Sequence, residues 1–160
     1  MSTKNDYSAE EWKAITGAPV AAGMFVSLSD ASGPIGIAKE ALAVGRAIAN
    51  SAGSDAPEIV KSLAESVRAG GGRPELPNVP TGDRAKTKDA LIGALKTAVD
   101  AVERKSPSEA PAYKSWLTSV ATKVSEASKE GGFLGIGGTD VSPREEEALN
   151  KLAEVLSPRR

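Results

Sequence analysis

The chain has 160 residues, carries 20 basic against 21 acidic side chains for a formal net charge of -1, and contains neither histidine nor cysteine. The missing residue types remove the commonest general base, the best nucleophile, two preferred metal ligands and any disulfide within the chain. The balanced charge argues against a long-range field of one sign and against nucleic acid as a partner, because the only basic clusters are Arg159-Arg160 and a thin stretch from Arg84 to Lys88.

A chain of this length is expected to form one domain over 1–160 and to bury roughly 68–70% of the surface its unfolded form exposes. A cysteine-free chain fits a reducing compartment, and the cytoplasm is the expected location. The opening Met-Ser-Thr-Lys-Asn-Asp-Tyr has no apolar stretch behind a basic head, so no signal peptide is read there. The weakly charged region 14–38 is broken by Gly17, Pro19, Asp30, Gly33 and Pro34, so no transmembrane span is expected.

Residues 1–7 are polar and expected to be loose. Ser8 with Glu11 forms a capping-box signature that opens a helix carrying Trp12 and Ile15. Gly17 and Pro19 predict a stop or a kink, with Pro19 able to open a second helix carrying Val20, Met24, Phe25 and Leu28. The short apolar run from Met24 to Leu28 also suits a strand, but the preceding alanines favour helix. Ser32-Gly33-Pro34 is a break, and the following helix places Ile37, Ala41, Val44 and Ile48 on one face. Gly36 and Gly45 within it suggest close approach of another helix.

A small polar turn over 50–54 leads to a helix capped by Ser54 or Asp55, with Pro57 in its first turn and an apolar line of Ile59, Leu63 and Val67. Gly70 closes it. Residues 71–83 hold Pro74, Pro77 and Pro80 and read as a crossing connection inside one bundle. The clearest helix spans 84–105, with Leu91, Leu95, Ala98 and Val102 spaced at four, three and four. Ser106, Pro107 and Glu109 signal another start, which Pro111 pushes slightly later, and that helix is expected to bury Tyr113, Trp116 or Leu117, Val120, Val124 and Ala127. Ser142, Pro143 and Glu145 repeat the signal for a last helix bearing Leu149, Leu152, Val155 and Leu156. The fold class is therefore all-α, an irregular bundle of six or seven helices.

The segment Gly131-Gly132-Phe133-Leu134-Gly135-Ile136-Gly137-Gly138 sets three large apolar side chains among five glycines. It lacks the lysine and Ser/Thr that follow the glycines of a phosphate-binding loop, and a helix rather than a strand precedes it. It reads as a tight loop that plugs the end of the core, or as one that presents Phe133, Leu134 and Ile136 to a partner. Tyr7, Trp12, Tyr113 and Trp116 are candidates either for core or for interface anchors.

Acid–base material is limited to carboxylates, lysines and tyrosines. Glu40, Glu65, Asp89, Asp100 and Glu126 show no spacing that gathers a catalytic pair, and a di-iron bundle would need the absent histidines. No Ser-x-x-Lys occurs, and Lys114-Ser115 and Ser128-Lys129 point to different sides of a helix. No catalytic residue, metal or cofactor is expected.

Two patches carry a resemblance. The helix end Val-Ser-Glu-Ala-Ser-Lys-Glu, the Gly-Gly-Phe-Leu-Gly-Ile-Gly-Gly loop and Val-Ser-Pro-Arg-Glu-Glu-Glu-Ala-Leu, within 121–156, together with Tyr-Ser-Ala-Glu-Glu-Trp-Lys over 7–13, resemble a group of small, uncharacterised bacterial Ala-rich helical proteins. The likeness implies a bacterial source and a compact helical fold, and it transfers no site residue.

The function expected from these features is that of a non-enzymatic helical protein-interaction module, binding a protein partner or a second copy of itself. Trp12, Phe133, Leu134 and Ile136 are the first candidate contact residues. The alternative is a carrier of a small apolar molecule or lipid, with a cavity between helices.

Overall fold

The computed structural model describes residues 3–29, 44–51, 53, 55–69, 78–80, 82–130 and 143–157, the side chains of 127–130 and 145 aside. Every regular element among them is helical. A 3-10 turn over Lys4–Asp6 precedes α1 (Ala9–Ser27), followed by a helical stretch over 44–50 (α2), α3 (Glu58–Ala69), α4 (Arg84–Lys105), α5 (Ala110–Glu130) and α6 (Pro143–Leu156). The expected all-α irregular bundle is what forms. The break expected over 32–34, the face positions Ile37 and Ala41, and the caps read at Ser54, Gly70 and Ser142 lie outside the described residues.

The capping box at the start of α1 is present in full: Ser8 Oγ accepts from the Glu11 amide at 3.1 Å, and the Ser8 amide donates to Glu11 Oε2 at 2.8 Å. The helix then runs through Gly17 and Pro19 without stopping, which corrects the first of the two expectations there, a stop, and with it a second helix opening at Pro19. Pro19 has no amide to give the Ile15 carbonyl, the normal partner four residues back. The buried Tyr113 hydroxyl of α5 donates to that carbonyl instead, at 2.9 Å. Helix also replaces the strand alternative over the Met24–Leu28 run as far as Ser27.

α1 is the axis of the bundle. Every residue from Ile15 to Gly23 is buried, so the helix is enclosed on all sides rather than along one stripe. It packs chiefly on α4 and α5, with α6 and α3 making smaller contacts. Gly23 lets α2 and α5 close in: a Cβ there would lie 3.2 Å from Val44 Cγ2 and 3.4 Å from Val124 Cγ1. The core adds Ile48, Ile59, Leu63, Leu91, Leu95, Leu117 and Leu152, all at 1% exposure or less.

Residues 3–7 are built into the fold rather than loose. The Tyr7 ring is buried, stands 5.8 Å from the Trp12 ring, and its hydroxyl shares a 2.8 Å hydrogen bond with Ser106 Oγ. α3 begins at Glu58, with the Pro57 carbonyl accepting from the Val60 and Lys61 amides, so Pro57 stands just ahead of the helix. α5 begins at Ala110, the later start that Pro111 favours. Of the connection at 71–83, residues 78–80, 82 and 83 are described and carry no helix. Its end is pinned by Thr87, whose hydroxyl lies 2.7 Å from the Pro80 carbonyl and 2.8 Å from that of Asp83.

Candidate functional site

The residues with chemistry do not converge. Glu65, Asp89, Asp100 and Glu126 are exposed on separate stretches of helix surface, and Glu40 lies outside the described residues. No group of three or more acidic side chains that can hold a metal occurs among the described residues. Lys114, beside the exposed Ser115, is buried and paired with Glu103 across the α4–α5 turn, so its ammonium group is engaged rather than free to act on a neighbouring hydroxyl.

The aromatic candidates divide between core and surface. Trp12 is 5% exposed and belongs to the core beside Tyr7. Tyr113 is fully buried, and desolvation, with a smaller contribution from Tyr7, pushes its phenol far above the usual range. Its hydroxyl serves as a structural donor, to the Ile15 carbonyl. Trp116 is half-buried with its ring 5.9 Å from that of Tyr113. Phe133, Leu134 and Ile136 lie outside the described residues.

An ion-pair cluster ties the N-terminal segment to the end of α4. Glu11 Oε2 meets Lys105 Nζ at 2.8 Å and Glu11 Oε1 meets Arg104 at 3.3 Å. Lys105 Nζ also donates to the Asp6 carbonyl at 3.0 Å and stands 5.7 Å from the Tyr7 ring centroid. The Lys105 hydrogen bond, followed by the Ser8 amide, holds the Glu11 carboxyl at about 2. Asp6 is lowered chiefly by the Thr3 amide. These groups engage one another, so the cluster acts as a fastener between the two segments.

At the opposite end of α1 the surface is different. The C-terminal end of α1, the first turns of α4 and the exposed side of α6 enclose a groove of about 730 Å³. Its apolar lining is Phe25, Leu28 and Ala148, of which Phe25 and Ala148 are buried and Leu28 is half-buried. Arg84 and Lys88, one turn apart, form the α4 wall, while Arg144, Glu147, Lys151 and Glu154 form a stripe along α6. Lys88 Nζ lies 5.7 Å from the Phe25 ring centroid, within cation–π range. Lys151 pairs with Glu154 at 3.7 Å.

Among the described residues, Arg84, Lys88 and Arg144 have no carboxylate partner. Sequence reasoning noted the Arg84–Lys88 stretch only as a thin basic cluster. The readable signal was the first turn of α4, which holds cations and no acidic residue, against the preference of a helix N-terminus.

No described helix is long and apolar enough to cross a membrane. Compared with known proteins, the chain matches no family model, no curated protein and no solved structure.

Proposed function

We propose that the protein is a non-enzymatic helical binding module that engages a protein partner through the groove between α1, α4 and α6. The observation that carries this reading is the groove's mixed construction. Apolar residues line part of an open cleft, and six of its eleven lining residues are charged: Arg84, Lys88, Arg144, Glu147, Lys151 and Glu154. Protein-binding surfaces combine an apolar centre with a polar rim in this way. A carrier of an apolar molecule would instead enclose its cargo in a mostly apolar chamber.

The test places a photo-crosslinking side chain at Ser29, which lines the groove, and separately at Lys123, exposed on α5. The expected result in native cells is a discrete crosslinked protein from position 29 only, lost when Leu28→Asp spoils the apolar lining in a chain that circular dichroism shows to be folded. Equal crosslinking from both positions, or crosslinks indifferent to Leu28→Asp, would overturn the reading.

A further inference from the structure

We infer that the segment this groove takes is acidic and amphipathic: a stretch of protein with carboxylates set among aliphatic side chains. The inference rests on the binding reading above and adds the chemistry of the partner. Within the groove, Lys151 and Glu154 offset each other, leaving Arg84, Lys88 and Arg144 against Glu147. The whole chain has a net charge of -1, so this positive excess is local. An incoming carboxylate meets cations that have no carboxylate partner among the described residues, and breaks no ion pair there.

The charged and apolar features share one place. Lys88 lines the same groove as the half-buried Leu28, so an aliphatic side chain seated on Leu28 lies in the cleft that also holds the Lys88 ammonium group. The α6 stripe from Arg144 to Glu154 runs for about 15 Å at the helical rise. That length suits a polypeptide segment laid along the cleft better than a single small anion. Arg84 and Arg144 also occupy the first turns of their helices, where the dipole disfavours a cation. Residues that oppose their local setting are expected where a site requires them.

The test measures anisotropy of labelled 15-residue peptides of glutamate, leucine and alanine, beside analogues with glutamine or lysine in place of glutamate. The acidic peptide is expected to bind at least tenfold more tightly than either analogue and to weaken about tenfold when salt rises from about 50 to 300 mM. Arg84→Glu with Arg144→Glu should weaken it at least tenfold, and Lys88→Gln severalfold. Both arginines are exposed at positions where glutamate suits the helix dipole, so folding is retained. Lys123→Glu on α5 should change nothing.

If glutamine and glutamate peptides bind alike and both are lost with Leu28→Asp, the groove stands and the acidic partner falls. If no peptide binds, or if binding ignores Leu28 and the arginines, both readings fall. Tighter binding of anionic vesicles or single-stranded DNA through the same arginines, or a dimer abolished by their reversal, would overturn the protein-segment assignment.

Discussion

The Ile15 carbonyl depends on a hydroxyl 98 positions away in sequence. Pro19 denies it an amide, and Tyr113 supplies the donor from α5. Phenylalanine at 113 keeps the ring but strands a buried acceptor, at a cost of about 1–3 kcal/mol. For a domain of this size that corresponds to a fall in Tm of roughly 2–4 °C per kcal/mol. The same substitution in a Pro19→Ala background is expected to cost less, because alanine at that position returns an amide to the Ile15 carbonyl. Thermal unfolding of the four variants measures the coupling, and equal costs in both backgrounds would show that the hydroxyl does not compensate for the proline. This pairing also explains why sequence alone allowed a stop at Gly17 and Pro19 as well as a kink: nothing local announces the donor. The cap of α1 was legible for the opposite reason, since Ser8 and Glu11 find each other within one turn.

Helices were legible in proportion to how one-sided they are. α4 spans the expected 84–105 because its apolar stripe faces α1 while the rest faces water. α1 blurred because burial on every side removes the alternation that betrays a helix. Helical glycines are equally uninformative in sequence, yet Gly23 in α1 and Gly93 in α4 answer to opposite rules. Gly93 sits exposed in the interior of α4, and an added Cβ would meet nothing within 4 Å. Gly93→Ala should therefore stabilise by about 0.5–1 kcal/mol. At Gly23 a Cβ already presses on Val44 and Val124, so Gly23→Leu should destabilise by about 1–3 kcal/mol through overpacking. Denaturant titration of the two variants reads both signs, and a stabilising Gly23→Leu would mean that α2 and α5 do not close on α1 there.

Across the molecule, the two ends of α1 serve different tasks. One end is fastened: Tyr7 reaches Ser106, and Glu11 gathers Arg104 and Lys105. The other end opens into the groove, whose parts come from three helices far apart in sequence. No linear motif displays such a surface. Arg84, Arg144 and Phe25 came to line one groove only when the helices were set side by side, while Trp12, prominent as a sequence candidate, went into the core.

The fastened end has a consequence for acid stability. Glu11 ionises at about 2 in the folded chain against an ordinary 4.5, so its carboxylate favours the fold above pH 4.5, and that contribution is lost as the pH falls from there through about 2. In Glu11→Gln the capping amide can still be served, but the charge on Lys105 and Arg104 loses its partner at every pH. The variant should melt lower than the parent at pH 6, and the gap should close between about pH 4.5 and 2. Added salt should narrow it at pH 6, because these pairs are partly open to solvent. Melting curves across that range settle the matter: a gap that persists at pH 2, or widens there, would mean that the ionised carboxylate is not what binds the N-terminus to α4.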